Sequence, residues 1–181
     1  MTSLHTYATT IAVLALLIHG CHKESPNGAS GDAAGTVEIV EGKPAPAFTV
    51  TAHDGVTLSS AGLLGHPVVL YFYPKDETPG CTKEACAFRD HWEKLSAAGV
   101  VLIGVSGDTD ESHKKFAEHH QLPFHLVNDV TSNLSRLFSV PNIRGFLARQ
   151  TIVIGKDGKV KKIYRTVDVE KHAEEIMADT L

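Results

Sequence analysis

Two cysteines five residues apart, Cys81 and Cys86, offer the most specific chemistry in this sequence. They lie in Pro74-Lys75-Asp76-Glu77-Thr78-Pro79-Gly80-Cys81-Thr82-Lys83-Glu84-Ala85-Cys86. Thr78 suits a helix N-cap and Pro79 suits the first helical position. Cys81 then falls in the first helical turn. There, free backbone N–H groups and the positive end of the helix dipole favour a thiolate. The thiolate is the nucleophilic form of cysteine, so the local sequence builds a reactive sulfur.

Cys86 stands differently. Cys81, Ala85, Phe88, Trp92 and Leu95 recur at helical spacing and predict a core-facing stripe. Five residues after Cys81 a helix has turned a net angle of about 140°, so Cys86 points away from that stripe. Helix geometry puts the two Cα atoms about 8.6 Å apart. A disulfide needs less than about 7 Å. Either the two sulfurs never bond, or the helix unwinds locally and forms a redox-coupled two-state element. Free cysteine is often simply buried and inert, but an inert core thiol has no need of a Thr-Pro-Gly start before it. A metal reading would join Cys81 and Cys86 to His91. That spacing is unusual for zinc and lacks a second ligand pair. His113, His119 and His120 lie on a polar stretch and read as a solvated helix face.

The surrounding pattern supplies the frame. Short strands are expected at residues 47–51 and 56–58, separated by the His53-Asp54-Gly55 turn. The apolar runs 68–73 and 100–105 read as strands buried on both faces. One helix is expected from about Pro79 to Ala98, others over 111–120, 132–138 and 169–178, and a strand at 124–127. Gly155-Lys156-Asp157-Gly158 separates strands 151–154 and 160–164 as a hairpin. Strand–helix–strand order with a closing hairpin predicts an α/β domain with a mixed β-sheet flanked by helices. Sites in such sheets form beyond the carboxyl ends of the strands, which points to the loop after Tyr73.

The chain has 181 residues, 17 Lys+Arg, 21 Asp+Glu, 11 His and three cysteines. A net charge of −4 gives no cationic field for nucleic acid. Three cysteines are too few for a disulfide scaffold. Residues 1–20 hold no Asp, Glu, Lys or Arg, and residues 8–18 form an apolar run. That run is too short to span a bilayer and fits the core of a signal peptide. It ends at Ile18-His19-Gly20-Cys21, which resembles a bacterial lipobox whose Cys21 becomes lipid-modified. The expected organisation is a signal peptide at 1–20, a lipid-anchored flexible tether at 21–37 and a catalytic domain at 38–181. The tether is rich in Gly, Ala, Ser and Asp and cannot bury enough surface to fold. The expected location is exported, periplasmic and membrane-anchored.

Pro74-x-x-x-Thr78-x-x-Cys81-x-x-Glu84 resembles the P-x-x-x-T-x-x-C-x-x-E active-site motif of the peroxiredoxins. With the second cysteine five residues on, it is similar to the peroxiredoxin Q / bacterioferritin comigratory protein subfamily. Gly42-Lys43-Pro44-Ala45-Pro46-Ala47-Phe48 and Arg149-Gln150-Thr151-Ile152-Val153-Ile154 extend the resemblance over residues 38–181. It implies a thioredoxin-like fold and a thiol-dependent peroxidase with no cofactor and no metal. Cys81 would be the peroxidatic cysteine and Cys86 the resolving one. Thr78 would hydrogen-bond sulfur and peroxide, Pro74 would shield the pocket, and Arg149 would stabilise the thiolate and polarise the peroxide. Glu84 would anchor the loop. Arg144 is the rival arginine. A thioredoxin-like dithiol protein would be the reductant, and the subfamily implies a monomer. Two other classes compete. A thiol–disulfide oxidoreductase of the same fold would use C-x-x-C, and an anchored copper chaperone would use C-x-x-x-C with a distant His.

Overall fold

The computed structural model of the chain describes residues 38–181. The expected signal peptide at 1–20, Cys21 and the expected tether lie outside the described residues. Thr49–Thr51 (β1) and Thr57–Ser59 (β2) form a small antiparallel hairpin. Val68–Phe72 (β3) leads into helices Pro79–Asp90 (α1) and Trp92–Ala97 (α2). Val101–Ser106 (β4), helix Asp110–His120 (α3), His125–Asn128 (β5) and the short helix Asn133–Leu137 (α4) follow. A two-residue pair, Asn142–Ile143 (β6) and Phe146–Leu147 (β7), precedes Gln150–Ile154 (β8), Val160–Tyr164 (β9) and helix His172–Thr180 (α5).

The main sheet runs β5-β4-β3-β8-β9. β3, β4 and β5 are parallel, while β8 is antiparallel to β3 and β9 antiparallel to β8. The sheet is therefore mixed, as the element order predicts. The continuous apolar run of β3 is buried at every position. Its even residues, Val68, Leu70 and Phe72, join one core with Phe138 and Ile152. Its odd residues, Val69 and Tyr71, continue to Tyr73 in a second core with Phe88, Leu95, Phe116 and Ile176. One strand thus splits two cores by its period of two. Tyr71 pairs with Gly104 of β4, and a Cβ on Gly104 would lie 2.6 Å from the Tyr71 hydroxyl. Glycine there lets the tyrosine ring lie across the neighbouring strand.

Three expectations change. The single helix 79–98 is two, broken at His91, whose φ of −102° and ψ of 5° leave the helical region. The terminal helix starts three residues later than its apolar pattern, at His172. The pair β6–β7 is an addition, because two-residue strands carry no readable alternation. None of the helices among the described residues is long and apolar enough to cross a membrane.

Candidate active site

The site forms where β3 ends and α1 begins. Thr78 takes the N-cap position with extended backbone, φ −80° and ψ 145°, and Pro79 opens the helix. The expected side-chain cap is absent. The Thr78 hydroxyl instead turns back and donates to the Lys75 carbonyl at 2.9 Å. Thr82 N–H reaches the Thr78 carbonyl at 2.8 Å. The N–H groups of Gly80 and Cys81 are left without intrahelical acceptors by the geometry of a helix start.

Cys81 is 2% exposed and lies on the predicted stripe with Ala85, Phe88 and Leu95, all buried, and Trp92, half-buried. Its sulfur meets Arg149, the residue just before β8. Arg149 Nη2 donates to Cys81 Sγ at 3.1 Å, and Nη1 donates to Glu84 Oε2 in an ion pair. Burial pulls the Arg149 pKa down, but Glu84 and Cys81 outweigh it and hold the guanidinium above its ordinary value. β8 pairs with β3 in antiparallel register, which carries the residue before Gln150 to the strand end from which the Cys81 loop departs. Arg149 and Cys81, 68 residues apart in sequence, meet for that reason. The rival, Arg144, sits exposed in the β6–β7 turn with φ of 56°. Pro74 is half-buried directly after the strand.

Glu84 continues the chain inward. It is 1% exposed, and its Oε1 accepts from His172 Nδ1 at 2.7 Å. His172 is itself fully buried, with its Nε2 lacking a hydrogen-bond partner. The order Cys81–Arg149–Glu84–His172 links α1, β8 and α5 around one sulfur. The Tyr71 hydroxyl is also buried without a partner, and burial, with Glu84, Asp76 and Cys81, raises its pKa well above the ordinary value.

A second polar cluster holds the loop itself. Asp76 is buried and accepts from the Tyr73 hydroxyl at 2.7 Å, from Ser112 Oγ at 2.7 Å and from His113 Nδ1 at 3.0 Å. Its own N–H donates to Asp108 at 2.8 Å. Burial pushes the Asp76 carboxyl up, but the His113 interaction and the two hydroxyl donors together bring it below the usual carboxylate range. His113 is therefore a core residue, not part of a solvated face. Phe116 and Ala117, three and four residues on, are also buried and mark the stripe that could have revealed it. Asp76 carries no such signal, since loop residues lack periodicity.

Cys86 lies half-buried on the same helix as Cys81, and both are free thiols. Arg89, one turn further, faces it. A hydrogen bond to Asp90 chiefly raises the Arg89 pKa, and Cys86 adds to the shift. Its Nη1 also donates to the His120 carbonyl at 2.9 Å. Cys81, Cys86 and His91 do not converge as a metal site; among the described residues the group that converges is Glu77, His119 and His120.

Comparison with known proteins agrees with this geometry. Residues 41–163 match the AhpC/TSA family model. The chloroplastic peroxiredoxin Q of Populus jackii is 46% identical over 143 residues, covering 77% of this chain and 67% of that protein. A Coxiella burnetii protein named as a peroxiredoxin bcp is 39% identical over 149 residues, covering 78% of this chain and 98% of its own. The crystal structure of peroxidoxin BcpB from Mycobacterium tuberculosis superposes with a TM-score of 0.72 at 31% identity, covering 79% of this chain and 97% of that one. Peroxiredoxin Q of Xanthomonas campestris gives 0.67 at 33% identity over 72% of this chain and 87% of its own. A mixed sheet flanked by helices, a cysteine at a helix start against the arginine just before β8, and these relatives together place the chain in the AhpC/TSA family, as a peroxiredoxin of the peroxiredoxin Q / bacterioferritin comigratory protein type.

Proposed function

We propose that Cys81 reduces peroxides and that Cys86 resolves the product, with the contact from Arg149 Nη2 to Cys81 Sγ at 3.1 Å as the observation that carries the reading. An always-charged guanidinium beside the sulfur stabilises its thiolate and can donate to the oxygen that gains charge as the O–O bond breaks. The Thr78 hydroxyl hydrogen is engaged by Lys75, which leaves its oxygen free to accept the peroxide O–H. Pro74 keeps water from the sulfur. The Cys81 thiolate attacks the terminal peroxide oxygen, the O–O bond breaks, and the departing oxygen leaves as water or alcohol after taking a proton. Cys81 becomes a sulfenic acid. The Cys86 thiolate then attacks that sulfur, forming an S–S bond and releasing the oxygen as water. A thioredoxin-like dithiol protein reduces the disulfide by exchange.

The bacterioferritin comigratory protein of Xanthomonas campestris, 33% identical over 72% of this chain, has been solved in trapped intermediate and ligand complexes that bear on its alkyl peroxide reduction activity. That likeness supports organic hydroperoxides beside hydrogen peroxide as substrates here. The enzyme acts as a monomer. The segment 1–20 directs export and Cys21 carries the lipid that anchors it in the periplasm, so Cys21→Ser would release the protein into the soluble fraction. The deciding assay is peroxide consumption with dithiothreitol as reductant. Cys81→Ser abolishes turnover. With dithiothreitol withheld, Cys86→Ser consumes one equivalent of peroxide and stalls at the sulfenic acid, which an added external thiol then relieves. Full turnover by Cys81→Ser would end the assignment.

A further inference from the structure

The last turn of α3 carries adjacent histidines that both reach the active-site loop. His119 Nδ1 lies 3.1 Å from Glu77 Oε1, and His120 Nε2 lies 3.0 Å from Glu77 Oε2. The two imidazole centroids are 4.2 Å apart. One ligand atom from each of the three residues falls within 4.8 Å of the others. A tetrahedral zinc at about 2.1 Å from each ligand needs ligand atoms roughly 3.4 Å apart, and the two Glu77–histidine separations lie near that spacing. Two imidazole nitrogens and one carboxylate oxygen suit zinc and its borderline neighbours, with water in the fourth position. To ligate an ion, each imidazole must hold its proton on the nitrogen away from it, so the hydrogens now directed at Glu77 give way to the metal. Glu77 and His119 are exposed, which leaves an entry path.

The position of the cluster gives it a consequence. Glu77 stands four residues before Cys81. The carbonyl of His120 accepts from Arg89, which stands three residues after Cys86 and faces it. The same turn of α3 therefore touches the chain on both sides of the cysteine pair. We propose that Glu77, His119 and His120 form a divalent-metal site of the zinc class, and that an ion bound there ties the start of α1 to α3 and slows closure of the Cys81–Cys86 disulfide. The restraint rests on the disulfide cycle above; the site does not.

Calorimetric titration with zinc chloride tests the site in the full chain carrying Cys21→Ser, Cys81→Ser and Cys86→Ser, which removes competing thiols. One zinc per chain is expected, with affinity weakened roughly tenfold or more when His119→Ala and His120→Ala are added. No binding by the parent, or equal binding after the histidine changes, overturns the site. With the cysteines restored, rapid-quench thiol counting after one equivalent of peroxide reads the closure rate. Zinc is expected to slow closure, and His119→Ala/His120→Ala to remove that slowing. Closure indifferent to zinc, or slowed equally in both proteins, overturns the restraint. A chain that binds zinc but never forms the disulfide overturns the proposed cycle, and the restraint with it, while leaving the site.

Discussion

Replacing Arg149 with lysine separates charge from geometry. The guanidinium is a fork, with Nη2 on Cys81 Sγ at 3.1 Å and Nη1 on the Glu84 carboxylate. Lysine keeps the charge but offers a compact ammonium on a flexible stem, and it cannot reproduce a planar fork. It must choose between two acceptors. Glu84 is 1% exposed, and leaving a buried carboxylate without its cation costs about 3–5 kcal/mol. A hydrogen bond to a charged sulfur is worth about 1.5–3 kcal/mol. The ammonium therefore goes to Glu84 and the sulfur loses its donor.

Loss of one preorganised donor to developing charge costs about 10²–10³ in rate, or roughly 2.7–4 kcal/mol. The second-order rate constant for oxidation of Cys81 should fall by that factor in Arg149→Lys, while thermal stability stays near that of the parent. Stopped-flow mixing of reduced protein with peroxide, read by the fluorescence of the single Trp92 or by competition with a second peroxidase, measures it. Arg149→Gln should lose at least as much rate and also lose stability, because Glu84 then keeps only His172. An Arg149→Lys enzyme within about threefold of the parent, a difference under roughly 0.7 kcal/mol, would refute the claim that this contact drives the chemistry.

Other consequences can be checked separately. Arg89→Gln removes the cation facing Cys86 and should slow disulfide closure several-fold while leaving Cys81 oxidation unchanged, seen as a longer-lived sulfenic acid by trapping and mass spectrometry. Gly104→Ala places a methyl 2.6 Å from the Tyr71 hydroxyl, and overpacking of this kind should cost about 1–3 kcal/mol in urea unfolding. Tyr71 and Tyr73 are buried and their folded pKa values lie well above 10.0, so their neutral forms contribute stability in full below pH 10 that is lost as pH rises beyond it. The loss should approach about 2.7 kcal/mol per pH unit for the two together, measured by denaturant unfolding between pH 9 and 11. Asp76 has the opposite sign. Its folded pKa is lowered, so its contribution is present above the ordinary carboxylate range and disappears as pH falls through the folded value, and Asp76→Asn should flatten acid unfolding below about pH 4.

The sequence is most readable where chemistry and periodicity coincide. Cys81 sits at a helix start and on an apolar stripe, and both signals are local. The mixed sheet follows from apolar runs and a Gly-Lys-Asp-Gly hairpin, which are local too. Arg149 is legible only through resemblance to a family motif, since a lone arginine before a strand carries no signal of its own. Glu84 is expected from sequence only to anchor the loop, and its buried pairing with His172 depends on α5 packing against α1, a contact that no spacing encodes. His113 reads as solvent-facing because its charged neighbours Lys114 and Lys115 dominate the composition of α3, although its spacing to Phe116 is that of a core position.

The helix that makes Cys81 reactive also keeps it from Cys86, so the cycle needs a reason for the helix to open after oxidation and not before. The site supplies one. While sulfur is a thiolate, its charge holds it to Arg149, and the charge-assisted bond pins the first turn of α1 to β8. Oxidation to the sulfenic acid consumes that charge and weakens the pin. The helix is only 12 residues long, near the length at which a helix in water is marginal without packing. Its remaining anchors are Glu84, which stays paired with Arg149 and His172, and the apolar Ala85 and Phe88, with Leu95 beyond the break at His91. Phe88 is fully buried against Tyr71, Phe124 and His172, and extracting it would cost several kcal/mol, so unwinding should stop before it. Cys81 and Cys86 both lie upstream of Phe88, inside the part that can open. Phe88→Ala should therefore lengthen the opening segment and speed closure relative to peroxide attack, at a cost of about 3–5 kcal/mol in stability. If that variant closed its disulfide no faster, Phe88 would not be the boundary of the switch.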